Sequence, residues 1–169
     1  SDYLLETIAD STIGGEYEPA LLSLVDTVLR DEFDPDSPPV SVRTLQTPTS
    51  PSLARVAFTS PQRAGLPSLE NYAQLHINGD LRPAGYTETT RGCKYSCLHC
   101  PITPIYKGRF FVVQKEIVME DIRTQVAQGA RHITFGDPDF LNGPGHVRHI
   151  VRALHSEHPD LTFDFTTRI

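Results

Sequence analysis

The stretch GYTETTRGCKYSCLHC, residues 85–100, decides how the rest of the chain is read. Its first six residues mix aromatic and β-branched side chains and predict a strand. The remainder carries all three cysteines of the 169-residue chain, Cys93, Cys97 and Cys100, spaced C-x-x-x-C-x-x-C. A secreted disulfide framework would spread an even number of cysteines along the chain, so this cluster points to metal instead. A loop at the C-terminal end of a strand is where α/β sheets and barrels place their sites. Three thiolates from one loop can grip one face of an iron–sulfur cube and leave the fourth iron open to an outside ligand. A structural zinc site completed by His99 or His132 is the competing reading, although such sites usually join two separated ligand pairs.

Downstream of the cysteines the pattern is regular. VMEDIRTQVAQG places Val118, Ile122 and Val126 on one helical stripe that stops at Gly129. RHITF (131–135) predicts a short buried strand ending in Gly136-Asp137-Pro138-Asp139. GPGHVRHIVRALHSEH supplies a second amphipathic helix through Val147, Ile150, Val151 and Leu154, and LTFDFTT (161–167) predicts the next strand. Strand, loop, helix, strand, loop, helix, strand is the order of a parallel sheet with crossover helices. The histidines of that second helix, His146, His149, His155 and His158, read as a solvated face. Tyr106, Lys107 and Arg109 face either the site mouth or solvent, and Thr166 and Thr167 fall near the site by position.

Upstream the chain is less regular. IGGEYEPALLSLVDTVLR reads as a strand, a glycine turn and a helix starting near Pro19, with Leu21, Leu22, Val25, Val28 and Leu29 on one face that needs neighbouring strands to cover it. From Asp34 to Pro67 the chain is linker-like, holding seven of its 14 prolines. Within it LARVAF (53–58) predicts an edge strand. SLENYAQL predicts a helical turn capped by Ser68, and Asn78-Gly79 predicts a hairpin. The division expected is 1–33, 34–83 and 84–169.

The formal net charge of -6 argues against a nucleic-acid surface, which normally shows a basic stripe. No apolar run approaches the ~20 residues that span a bilayer, and no signal pattern opens the chain, so a cytoplasmic protein is expected.

The run GYTETTRGCKYSCLHCPITPIYKGRF, with HITFGDPDFLNGPGH and FDFTTRI behind it, resembles the radical S-adenosylmethionine (radical SAM) superfamily, and within it the B12-binding-domain type. It is most similar there to a subgroup named for a C-terminal Cys/Sec-Ala-Glu-Pro tail, which this chain lacks. The resemblance implies an α/β fold: the first half of a parallel β/α barrel (84–169), preceded by the βα tail of a Rossmann-like, cobalamin-binding-type domain (1–33) and a proline-rich linker with a hairpin (34–83). It implies that Cys93, Cys97 and Cys100 ligate a [4Fe–4S] cluster whose open iron takes S-adenosylmethionine, cleaved reductively so that hydrogen is abstracted from a substrate. The backbone at His99, where the family usually carries an aromatic residue, would meet the adenine. Gly136 and Asp137 stand where the family's glycine-rich acidic segment receives the methionine amino group. Literal Gly14-Gly15-Glu16 lies upstream of the cysteines, out of order for that role. The cobalt-ligating pattern Asp-x-His-x-x-Gly is not in this chain, so cobalamin has no support here. An external electron donor, a small-molecule or peptide substrate and self-association through an open sheet edge complete the expectation, with no nucleic acid and no membrane. The alternative class is a non-catalytic module stabilised by zinc or iron–sulfur.

Overall fold

The computed structural model describes residues 2–168. Their packing divides into two units: the chain up to Ala57 together with Pro104–Tyr106, and Phe58–Thr103 together with the chain from Lys107 onward.

The first unit contains α1 (Asp2–Thr7), β1 (Thr12–Ile13), α2 (Glu18–Leu29) and β2 (Val42–Arg43). The two short strands pair antiparallel, Ile13 opposite Val42. Pro19 sits in the first turn of α2, where its missing N–H has no partner to lose. The apolar face of α2 departs from expectation. Ala20 is the buried residue, whereas Leu21, Leu22, Val25, Val28 and Leu29 are all exposed. A sheet of two 2-residue strands is too narrow to cover a second helical face. Gly14-Gly15-Glu16 is a backbone junction. Gly15 has φ 81°, and a Cβ there would lie 1.9 Å from the Ser52 carbonyl oxygen. Glu16 N–H donates to that carbonyl and Ser52 N–H donates to the Gly14 carbonyl. The predicted LARVAF strand does not form: beyond the isolated bridge from Ser52 to Gly15 no partner strand runs beside it among the described residues.

The second unit opens with a 3₁₀ turn, Leu69–Asn71. Ser68 precedes it as predicted, but its carbonyl rather than its hydroxyl serves the turn, accepting from Asn71 N–H. β3 (Gln74–Ile77) and β4 (Asp80–Thr87) form the predicted hairpin, with Ile77 opposite Asp80. Asn78 and Gly79 both take positive φ, 49° and 81°, the condition for a tight two-residue turn that matches strand twist. The strand expected to run into the cysteine loop is broken. β4 ends at Thr87, and a separate β5 (Thr90–Gly92) pairs antiparallel with β6 (Phe110–Val112). The thiols, and α3 (Ile102–Tyr106) after them, therefore lie in the connection of a small ribbon.

α4 (Lys115–Ala127), β7 (His132–Phe135), α5 (Pro144–Glu157) and β8 (Thr162–Phe165) follow in the predicted order. The four-stranded sheet runs β3-β4-β7-β8, parallel from β4 to β8, with Gly85 opposite Ile133 and Ile133 opposite Phe163. α4 stops where Gly129 takes φ 103°. The helices bury Val118, Met119, Ile122, Val147, Ile150 and Leu154 against Ile133 and Phe135 of the sheet. Burying each such side chain contributes roughly 1.5–3 kcal/mol, and this core fixes where the strand ends, and so the loops beyond them, must lie.

The free edge of β4 beyond its hairpin is closed by a side chain. Gln125 of α4, fully buried, accepts Tyr86 N–H at 2.8 Å and donates to the Tyr86 carbonyl at 3.1 Å, standing in for a neighbouring strand. Gly85 permits it: a Cβ there would sit 2.4 Å from Gln125 Oε1. Arg63 adds a bond to the same carbonyl and forms two bonds to the Asp121 carboxylate, at 2.6 and 2.9 Å. On the other side, β8 has one neighbour among the described residues, leaving its outer edge open.

Candidate functional site

The C-terminal ends of β4, β7 and β8 converge on the cysteine loop. Cys93, Cys97 and Cys100 are unpaired thiols, each half-buried. Local bonds shape the second half of the loop. The Cys97 carbonyl accepts from Cys100 N–H at 3.2 Å and from Thr103 Oγ1 at 3.1 Å. Leu98 at the loop tip is fully exposed and His99 beside it is also exposed. The first half is held from outside the loop, because Gly92 (φ 84°) turns the chain off β5 directly before Cys93.

The segment after β7 supplies that hold. Asp137, 2% exposed, accepts four hydrogen bonds of 2.5 to 2.9 Å: from the backbone N–H and the hydroxyl of both Thr89 and Thr90. Two main-chain donors and two hydroxyls are a full set of partners for a buried carboxylate, which would be costly unpaired. Asp137 thus ties the end of β7 to the break between β4 and β5. Its neighbour Gly136 is packed under Tyr86, whose hydroxyl would lie 1.7 Å from an added Cβ, and Gly136 N–H bonds the Thr87 carbonyl. Burial, then the negative charges of Glu88 and Asp137, raise the pKa of the Tyr86 phenol, so it stays a donor.

Further along, Asp139 caps the 3₁₀ turn Phe140–Asn142 by accepting Leu141 N–H and also takes the Thr167 hydroxyl at 2.8 Å. Phe140 N–H bonds the Thr166 carbonyl, and Phe140 stacks on Phe165 with centroids 4.7 Å apart. Asn142 reaches the cysteine loop itself, bonding Lys94, Gly92 and Thr90. From the end of β8, the Arg168 guanidinium lies 4.1 Å above the Tyr95 ring of the loop. Arg91, paired with Glu88, lies over Phe58.

The sequence-predicted residues therefore fall into two groups. The three cysteines, His99, Gly136 and Asp137 stand at one end of one sheet. Thr166 and Thr167 stand there too, engaged by the Asp139 turn. Tyr106 does not: its hydroxyl bonds buried Glu16 at 2.8 Å within the first unit. His132 also lies elsewhere. It opens β7, about 10 Å of strand from the loop, where Nδ1 meets the Thr162 hydroxyl. His146 and His158 are half-buried, each with a buried Nε2, rather than members of a solvated face. Among the described residues no three His, Cys, Asp or Glu side chains gather closely enough to hold a single metal ion. The donor set fits a cluster, which takes thiolates at its separate corners. Asn142, Thr89 and Thr90 escaped the sequence reading. Their only signal was an Asn-Gly pair and a Thr-Thr pair in segments of ordinary loop composition.

No family model matches the chain. Over 120 residues it is 28% identical to the hopanoid C-3 methylase of Methylococcus capsulatus (strain ATCC 33009 / NCIMB 11132 / Bath), covering 70% of this chain and 22% of that protein. It superposes on TsrM of Kitasatospora setae, a radical S-adenosylmethionine methyltransferase, in a structure with tryptophan substrate and the SAM analogue aza-SAM bound. The TM-score is 0.65 at 22% identity, over 90% of this chain and 30% of that one. A second TsrM structure, with cobalamin and a [4Fe–4S] cluster bound, gives 0.63 at 20% identity, over 90% of this chain and 31% of that one. The fold is the first part of a radical SAM barrel behind a Rossmann-like fragment, with the cysteine loop past its first parallel strand. What the chain shares with the two TsrM structures is this fold. The chain spans between about a fifth and a third of the length of these relatives.

Proposed function

We propose that the protein containing this chain is a radical SAM enzyme, with Cys93, Cys97 and Cys100 as ligands of a [4Fe–4S] cluster and S-adenosylmethionine at the remaining iron. The observation that carries this is the placement of all three thiols in one half-buried loop beyond the ends of three parallel strands. When bound, the cluster and S-adenosylmethionine supply the one-electron chemistry. This chain's residues hold and orient. Asp137 and Asn142 fix the base of the loop. The backbone at the exposed residue His99 is the surface for an adenine edge. The segment from Gly136, under Tyr86, is the surface for the amino-acid end of the cofactor. Because the Asp137 carboxylate is filled by Thr89 and Thr90, main-chain groups of that segment are the ones left for an ammonium.

Methyl transfer to an organic substrate is the favoured reaction class, since the methylase and the methyltransferase above both carry that activity in their names. An external donor supplies the electron. No residue of this chain is assigned to cobalamin.

The test is anaerobic reconstitution of the longest natural protein containing this chain, with iron, sulfide and a chemical reductant, followed by S-adenosylmethionine. Broad brown absorbance with 5′-deoxyadenosine or S-adenosylhomocysteine among the products is expected. Loss of the absorbance is expected when any one of the three cysteines becomes alanine. Tightly bound zinc, no absorbance and intact S-adenosylmethionine would instead make this a metal-stabilised binding module.

A further inference from the structure

Cys93 is held by different means from the other two thiols. Cys97 and Cys100 belong to a turn closed by bonds within the loop. The peptide groups on either side of Cys93 are gripped by a residue 49 positions further along the chain. Asn142, 4% exposed, accepts Lys94 N–H at Oδ1 (3.0 Å) and donates from Nδ2 to the Gly92 carbonyl (2.9 Å) and to Thr90 Oγ1 (3.3 Å). A single planar amide therefore bonds the residue before Cys93 and the residue after it. The Lys94 ammonium returns the contact, donating to the Leu141 and Asn142 carbonyls at 3.0 and 3.2 Å. Asn142 is itself placed by the Asp139-capped turn, which is tied to the ends of β7 and β8.

We propose that Asn142 is the positioning residue for Cys93. It fixes this thiol's arm of the loop against the strand ends before any metal arrives, while Cys97 and Cys100 adjust through their local turn. The proposal rests on the three thiols being cluster ligands. The side-chain type follows from the geometry. A carboxamide offers a donor and an acceptor in one plane, matching an N–H and a C=O that face it together. An aspartate would present an acceptor to the Gly92 carbonyl, and an alanine would leave the buried Gly92 carbonyl and the part-buried Lys94 N–H without this partner.

Thiol labelling of the metal-free chain tests this without any cluster. Under anaerobic conditions iodoacetamide is added, and alkylation at each cysteine is followed over time by mass spectrometry. In Asn142→Ala, Cys93 is expected to label roughly five- to thirtyfold faster, the change in a local opening equilibrium when such bonds are lost. Cys97 and Cys100 should hold their rates. Asn142→Ser, which keeps one hydroxyl for one partner, should fall between. In reconstituted protein the same variants should release iron faster to a chelator and alter the electron paramagnetic resonance line shape of the reduced cluster. Equal acceleration at all three cysteines in both variants, or no change at Cys93 in either, overturns the proposal. If Asn142→Ala loses its circular dichroism, Asn142→Ser decides. A chain that takes up no iron yet shows the selective response at Cys93 would sink the cluster reading and leave the positioning role standing.

Discussion

Asp137 shows how a residue marked for ligand chemistry is consumed by structure. Its carboxylate takes four donors from Thr89 and Thr90, all within a buried joint between β7 and the base of the cysteine loop. In Asp137→Asn one oxygen becomes an NH₂ that faces donors, so at least the Thr89 or the Thr90 N–H goes unpaired. The expected loss is at least about 1.5–3 kcal/mol, the worth of one hydrogen bond to a charged group. Hydrogen exchange should show it first as lost protection at the Thr89 and Thr90 amides, and unchanged protection there would refute the joint. His146 carries a second prediction. Burial pushes its imidazole pKa down; main-chain groups at Val113 and Thr89 and the Asp137 charge oppose this, while His149 adds to it. The unfolded chain then takes up a proton near pH 6.5, before the folded chain does. Stability should therefore be unaffected at higher pH and decline as pH falls through the ordinary imidazole value, levelling below the folded value. Denaturant midpoints of His146→Gln measured across this window should decline less steeply than those of the parent. Neither role could be seen in the sequence, because Asp-Pro-Asp and a helical histidine are common in loops and on helix surfaces alike.

Patterns at the scale of elements were the most legible part. The stripes Val118-Ile122-Val126 and Val147-Ile150-Leu154 and the runs HITF and TFDF became the helices and parallel strands that carry the core. Asn78-Gly79 became the hairpin, since local dihedral preference alone decides a two-residue turn. Elements whose existence depends on a distant partner were not legible. The β5-β6 ribbon needs Phe110–Val112 to come back beside Thr90–Gly92, and LARVAF has the composition of a strand but no partner strand among the described residues. The α2 stripe had the period of a buried face and stayed exposed for the same reason. Gln125 belongs here as well, a polar helical residue fully buried against the free edge of β4 beyond its hairpin. Removing its amide in Gln125→Leu leaves Tyr86 N–H without its acceptor, while Arg63 keeps the Tyr86 carbonyl satisfied. That should cost about 1–3 kcal/mol. Gln125→Glu should be worse, because it sets a second carboxylate where Nε2 now lies 3.0 Å from Asp121 Oδ2. Urea midpoints in the order parent, Leu, Glu would bear this out, and Glu equal to or above Leu would contradict it.

For the molecule as a whole, the chain enters its two packing units more than once. It leaves the second at Thr103, joins the first for Pro104–Tyr106 and returns at Lys107. A hydrogen bond anchors that excursion, Tyr106 hydroxyl to Glu16, with Glu16 1% and Tyr106 8% exposed. Gly14-Gly15-Glu16, out of order for a cofactor role, has its use here: Gly15 admits the Ser52 carbonyl and Glu16 receives the tyrosine. Tyr106→Phe keeps the ring and removes that hydroxyl donor. Hydrogen bonds to charged groups contribute about 1.5–3 kcal/mol, so the first unit should lose stability of that order. The bonds that shape the thiol loop, Cys100 N–H to Cys97, Thr103 to Cys97 and Asn142 to Gly92 and Lys94, all lie within the second unit and are untouched by this change. Limited proteolysis should accordingly cut Tyr106→Phe faster between residues 2 and 57 than elsewhere, while anaerobic reconstitution yields the parent's iron content. Were iron uptake to fall in step with the stability of the first unit, the thiol loop would depend on the Glu16 anchor, and the division of labour between the units would have to be redrawn.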